Sequence, residues 1–241
     1  MSDICIFRRI EKKYLLTEGQ CRALMDRIGG NLQADEYGRS TVMSLYLDTP
    51  DYRLIRNSID ATTYKEKLRL RSYGTPGPDS RVFLELKKKF NGVVYKRRVA
   101  ITERQAEAYL RSGIKPFDSQ IFRELDYAMG FYDSPRAAVV LCYERQAFTV
   151  PSTPNLRLTF DTHVRYRDTE LTLTAGAAGE ELLPPGMAVL EIKTDGAMPL
   201  WLARALDECA IRPASFSKYG TAYRDMCRHQ KFQVTEEKRY A

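Results

Sequence analysis

From Tyr64 to Tyr73 the chain sets a base at every second position: Lys65, Lys67, Arg69 and Arg71 alternate with Glu66, Leu68 and Leu70. A period of two sends successive side chains to opposite sides of a strand, so this segment has one basic face and one mostly apolar face. Residues 81–89 obey the same rule, with Glu85, Lys87 and Lys89 on one face and Leu84 and Leu86 on the other. Phe90-Asn91-Gly92 supplies a hairpin turn, and residues 93–101 return with Lys96 and Arg98 on one face. Residues 7–16 place Arg9, Glu11 and Lys13 together. Residues 40–48, 138–150 (Tyr143, Arg145 and Ala147 on one face), 156–167 and 187–194 (Glu191 and Lys193 around Ile192) read as further strands.

One polar strand face is ordinary, because an antiparallel sheet can turn one side to water. Repeated over six strands, solvent exposure would also bring Ser, Thr, Asn and Gln, whereas these faces carry Lys, Arg and Glu. The expected fold is therefore α+β. It is an antiparallel β-barrel, a tunnel with a charged lumen, whose helices pack on the apolar outside. Helices are expected at 21–28 behind a capping box at Thr17 and Gln20, at 103–111, at 119–129 and at 199–209. Residues 74–80 and 175–185 read as loops, the second exposed. No internal repeat or long linker divides the chain, so residues 1–241 are read as one domain.

Thirty-eight Lys and Arg against 31 Asp and Glu give a net charge of +7, and the bases concentrate in the first hundred residues. That distribution predicts an anionic partner. The longest uncharged apolar stretch, residues 137–143, is far too short to span a membrane, and no secretory leader is expected at the start. Five scattered cysteines without a CxxC and only two histidines argue against a Cys/His zinc site and for a reducing, cytoplasmic setting. Arg matches phosphate oxygens with two parallel donors and Lys adds a point charge. The minority carboxylates are explained equally by ion pairing with neighbouring bases or by a hard divalent metal bridging phosphates. Nucleic acid is disfavoured because the basic faces carry few aromatics for base stacking, although Tyr64, Tyr73 and Tyr95 lie nearby.

Seven motifs then occur in order: Arg9-Ile10-Glu11-Lys12-Lys13-Tyr14, Leu45-Tyr46-Leu47-Asp48-Thr49, Lys67-Leu68-Arg69-Leu70-Arg71, Glu85-Leu86-Lys87, Tyr143-Glu144-Arg145-Gln146-Ala147-Phe148, Glu191-Ile192-Lys193 and Ser217-Lys218-Tyr219. Together they resemble the VTC domain, the catalytic module of the eukaryotic vacuolar polyphosphate polymerase, which has stand-alone bacterial relatives in the triphosphate tunnel metalloenzyme superfamily. The resemblance runs from about Phe7 to Arg228. It implies transfer of the γ-phosphoryl group of ATP to a growing inorganic polyphosphate chain, with Mn²⁺ or Mg²⁺ as cofactor; a tunnel triphosphatase and a non-catalytic polyphosphate binder are the alternatives. It implies catalytic roles for Arg69, Arg71, Lys87 and Arg145. It implies phosphate contacts from Lys13, Lys96, Arg98, Ser217 and Lys218, and metal binding by Glu191. Glu11 and Glu85 are read as charge balance or as a second metal ligand. Ser215 departs from the family pattern, which has a lysine there. The eukaryotic module's preceding sensor domain and membrane helices have no expected counterpart.

Overall fold

The computed structural model describes residues 10–61, 63–91 and 93–240, with side chains described to residue 229. Phe7, Arg8, Arg9 and Gly92 lie outside the described residues. In chain order the elements are β1 (Ile10–Leu16), α1 (Glu18–Ile28), β2 (Gln33–Asp48), α2 (Arg53–Asp60), β3 (Tyr64–Tyr73), β4 (Arg81–Phe90), β5 (Val93–Thr102), α3 (Glu103–Ser112), α4 (Gln120–Phe131), β6 (Arg136–Thr149), β7 (Arg157–Arg167), β8 (Glu180–Glu181), β9 (Ala188–Thr194), α5 (Leu200–Glu208) and α6 (Lys218–Tyr240).

The strands form one antiparallel sheet in the order β1-β9-β7-β6-β2-β3-β4-β5, with β8 added beside β7. The α+β class and the antiparallel architecture agree with the sequence. The sheet curls until Lys87 on β4 comes within 3.5 Å of Glu11 on β1. Backbone closure differs from a full barrel: among the described residues, β1 and β5 do not pair with each other. The reason is competition for the edge of β1. Ala214 donates its N–H to the Lys13 carbonyl at 2.7 Å, and Tyr14 bridges Pro213, so a segment from late in the chain occupies the edge that β5 would need.

Packing follows the alternation. Outward-facing Leu68, Leu70, Leu84 and Leu86 meet Phe122 and Leu125 of α4 and Tyr109 of α3. Tyr14, Leu158, Leu190 and Ile192 meet Leu24 of α1 and Leu202 and Leu206 of α5, with Trp201 against the same cluster. Each fully buried leucine contributes roughly 1.5–3 kcal/mol by leaving water. Thr17 and Thr102 cap α1 and α3 through complete capping boxes, each with Gln at the reciprocating position. These four helices lie on the apolar outside, as the alternation requires.

α2 and α6 behave differently. Tyr46, Val139, Leu141, Tyr143 and Val189 belong to the concave face, and they pack against Ile55 of α2 and Tyr219, Ala222 and Met226 of α6. Part of the interior is thus a third apolar core. Asp48 ties it together: its buried carboxylate accepts from the Leu54 N–H at 2.8 Å, the Ile55 N–H at 3.0 Å and the Tyr219 hydroxyl at 2.8 Å. One side chain at the end of β2 therefore caps α2 and anchors α6. The 175–185 segment is also less free than its composition suggests. Leu173 just before it and Leu182 within it are buried, and the Arg167 guanidinium donates to the carbonyls of Gly176 (2.7 Å) and Ala178 (3.0 Å).

Replacing Asp48 with Ala strands two helical N–H groups and a phenol in a dry site. We expect a loss of about 2–4 kcal/mol in denaturant unfolding, against about 1 kcal/mol for Tyr219→Phe. Equal, small losses for both would contradict the anchoring role.

Candidate phosphate-binding site

Strand register brings the expected bases to the concave face. Arg69 on β3 faces Glu85 on β4, which faces Arg98 on β5; one pleat further, Lys67 faces Lys87, which faces Lys96. Two positions beyond Arg69, Arg71 lies opposite Ser44 of β2. On the other half of the sheet, Lys13 faces Glu191, Glu191 faces Thr159, and Arg145 faces Asp161.

Two buried carboxylates organise these cations. Glu85 receives Arg69 Nε at 2.7 Å and Lys96 Nζ at 2.7 Å, together with Arg98 Nε. Burial pushes the Glu85 carboxyl up, but Arg69, Arg71, Lys96 and Arg98 outweigh that and hold it far below the ordinary carboxylate range. Asp161 receives Arg145 in a two-pronged contact, Nε at 2.7 Å and Nη2 at 2.8 Å, and Lys218 Nζ at 2.6 Å. Arg71 is held by the Ser44 and Tyr143 hydroxyls at 3.2 and 3.3 Å. Lys218 also lies over the Tyr143 ring, 4.5 Å from its centre.

Glu191 sits apart from Glu85, among Lys193 Nζ at 2.9 Å, Arg145 Nη2 at 3.8 Å and Lys13 Nζ at 4.0 Å. Glu11 takes Lys13 at 3.4 Å and Lys87 at 3.5 Å, so that Lys13 is shared between Glu11 and Glu191. Burial raises the Glu191 carboxyl, yet the ammonium groups of Lys193, Lys13 and Lys218 hold it well below its usual range. Among the described residues no group of three or more His, Cys, Asp or Glu side chains converges. Two adjacent carboxylates are what a Mg²⁺ or Mn²⁺ site needs when substrate phosphates and waters supply the remaining ligands. Beside them the buried Thr159 hydroxyl, opposite Glu191 in register, lacks a hydrogen-bond partner. Glu11 and Glu191, linked through Lys13, fit such an ion only once phosphate draws away the bases that now pair with them, while Glu85 is held by Arg69, Lys96 and Arg98.

A cavity of about 860 Å³ opens against this face. Of the expected residues it exposes Lys13, Lys87 and Ser217; Lys67, Lys65 and Lys89 join them. Arg69, Arg71, Arg145, Lys96, Arg98, Lys218 and Glu191 do not line it, their charged ends being engaged in the pairs above. Ser217 accepts from Lys67 Nζ at 3.0 Å and caps the start of α6 through the Gly220 N–H at 3.1 Å. Ser215, at the position of the departure from the family pattern, lines the same cavity.

The lysine row is electrostatically loaded. Burial, with Lys13, Lys87 and Arg69 nearby, brings the Lys67 ammonium down to about 8 against partial relief from Tyr46. Burial, Arg98 and Arg69 bring Lys96 to about 8 despite Glu85. Burial alone would raise the Tyr46 phenol, but Arg69, Lys67 and Arg71 pull it down to about 7. Lys67, Tyr46 and Asp161 thus join the residues assigned a role from the sequence, and Glu11, read there as charge balance or a second metal ligand, pairs with Lys13 and Lys87. Lys67 was signalled by sharing a face with Arg69. Asp161 had only its alternating position. Lys88 and Arg97, on the opposite face by period, pair instead with Glu66 and with Glu124 of α4.

The VTC domain family model matches residues 8–227. Comparison with curated proteins finds no match. Among solved structures, the fold is similar to that of a Bacillus halodurans protein described as a candidate adenylate cyclase, at 15% identity over 87% of this chain and 93% of that one, with a TM-score of 0.53. A Vibrio parahaemolyticus protein with the same description gives 13% identity over 90% and 98% of the two chains, with a TM-score of 0.48. At 15% identity the first of these likenesses speaks to the fold alone, and no described helix is long and apolar enough to cross a membrane. The match over nearly the whole length, on a curled antiparallel sheet with a basic concave face, carries the assignment: the chain belongs to the VTC domain family.

Proposed function

We propose that this protein is a metal-dependent polyphosphate polymerase, transferring the γ-phosphoryl group of ATP to a growing inorganic polyphosphate chain. The observation that carries the reading is the row Lys67–Lys87–Lys96, in register across three strands and open, through Lys67 and Lys87, to the cavity. Like charges directly opposite one another destabilise a sheet. A polyanion laid along them removes that repulsion, and a linear chain of phosphates matches a linear row of ammonium groups.

Phosphoryl transfer requires positioning and charge neutralisation more than covalent participation by the protein. Lys67 and Lys87 receive the chain at the cavity. Arg69, Arg71 and Arg145 hold non-bridging oxygens once phosphate displaces their present partners, with Lys13, Lys96, Arg98, Ser217 and Lys218 completing the wall. Glu191, with Glu11, holds Mn²⁺ or Mg²⁺, which when bound neutralises charge on adjacent phosphates. The terminal phosphate of a polyphosphate is already an anionic nucleophile, so no strong general base is required. Water in its place makes the same site a triphosphatase.

Incubation with ATP and Mn²⁺ or Mg²⁺, with and without a short polyphosphate primer, distinguishes the reactions when chain length and free phosphate are read from one tube. The expected result is chains that lengthen with time, and a fall of about 100-fold for Glu191→Gln and for Arg69→Ala. Free phosphate without chains would make it a hydrolase; neither product, with binding retained, would make it a binding module.

Binding also carries a proton signature. Above about pH 7 the free site gains a phenolate at Tyr46, and above about pH 8 it loses cations at Lys67 and Lys96. Both changes disfavour an anion, so affinity falls as pH rises through this window and a bound anion restores the protonated forms. Calorimetry near pH 8 in buffers of different ionisation heat should show uptake of about one proton per tripolyphosphate bound. Binding that is pH-independent from 7 to 9 would contradict the lysine row as the contact surface.

A further inference from the structure

Among the described residues three buried side-chain polar atoms lack a hydrogen-bond partner: Glu103 Oε2, Thr159 Oγ1 and Arg165 Nε. Glu103 opens α3 on the outside of the sheet, and Arg165 stands opposite Cys142, which belongs to the outer core. Thr159 is placed differently. It is 2% exposed and shares the concave face with Glu191, directly opposite on β9, and with Ala147, directly opposite on β6. The fold gives its hydroxyl nothing to bond. Ala147 has no polar side chain, and Glu191 is turned to Lys193, Arg145 and Lys13. Both oxygens of Asp161, two positions along the same face, are taken by Arg145 and Lys218. Valine is branched in the same way, suits a strand as well, and would strand no hydroxyl. A polar atom left unpaired inside a fold therefore points to a group that satisfies it on binding.

The surrounding chemistry narrows that group. Lys13, Lys193 and Arg145 can only donate, so a phosphate oxygen entering here meets donors in excess. What is scarce is an acceptor. A hard divalent ion bound by few carboxylates keeps several waters, and those waters donate outward. With Asp161 saturated, the Thr159 hydroxyl is an acceptor beside Glu191 that no base of the lumen can occupy by accepting from it. We propose that Thr159 is a positioning residue of the divalent-cation site, its hydroxyl kept unpartnered in the free protein to accept a hydrogen bond from a water on the ion that Glu191 holds. This rests on the metal reading above, in which phosphate first draws the bases away from the carboxylates.

The test compares the full chain with Thr159→Val and Thr159→Ser. Calorimetry measures the affinity of each for tripolyphosphate in EDTA and for the Mn²⁺–tripolyphosphate complex, and thermal melting follows each free protein. Thr159→Val is expected to weaken binding of the Mn²⁺ complex about tenfold while metal-free binding stays within about threefold, and Thr159→Ser to stay within about threefold in both. The free Thr159→Val protein should melt at or above the wild-type temperature, because an unsatisfied hydroxyl has been removed. A lower melting temperature would show that the hydroxyl has a partner in the fold and would overturn the proposal. Equal weakening with and without Mn²⁺ would make Thr159 a phosphate contact, and no weakening in either would leave it without a role; both results overturn it. If the wild type binds tripolyphosphate but not its Mn²⁺ complex, the metal reading itself falls, and the role of Thr159 with it.

Discussion

Like charge facing like charge across β3, β4 and β5 is the constraint around which this molecule is arranged. Lys67, Lys87 and Lys96 stand opposite one another in register, with Arg69 and Arg98 one pleat away. A curled sheet cannot keep such a face dry and unpaired, since isolated buried charge costs several kcal/mol per ion. The fold answers with two buried carboxylate nodes, each serving several bases: Glu85 for Arg69, Lys96 and Arg98, and Asp161 for Arg145 and Lys218. The nodes leave Lys67 without a carboxylate partner among the described residues; its bond is to the Ser217 hydroxyl. That residual positive field is what the proposed polyanion binding rests on.

The same interior also serves as a core, and this division decides how a ligand can approach. α6 and α2 fill the concave side of β2, β6 and β9 with Tyr219, Met226 and Ile55, pinned through Asp48. The charged half, on β3, β4 and β5, borders the cavity, which α2, α6 and residues 214–217 also line. Had β5 taken the edge of β1, the lumen would be a closed tube reached only from its ends. Because the 213–214 segment takes that edge, the sheet curls without β1 and β5 pairing.

Much of the sheet was legible because side-chain alternation is a local property. Lys65, Lys67, Arg69 and Arg71 could occupy one face only in a strand, and Asn91 with φ of 46° sits in the hairpin where the Asn-Gly signal placed a turn. Closure was not legible, since it depends on which distant segment wins the edge of β1, and nothing near Lys13 names Ala214. α2 escaped notice for a similar reason: its capping carboxylate, Asp48, comes from the preceding strand, and Tyr52 enters it with φ of 58°. The stripe Tyr219, Ala222 and Met226 was present in α6 but sparse among polar residues. In the site, alternation put Glu85 beside bases, but only register shows that Arg69, Lys96 and Arg98 converge on it while Glu191 meets Lys13 across β1 and β9.

The most direct test of the central claim is a crystal structure with Mn²⁺ and tripolyphosphate, with the metal located by its anomalous signal. The account predicts Mn²⁺ between Glu11 and Glu191, and phosphates in the lumen within hydrogen-bond distance of Lys67, Lys87 and Arg69. Phosphate confined to the outer surface, or Mn²⁺ bound away from Glu191 with Lys67 and Lys87 untouched, would contradict it.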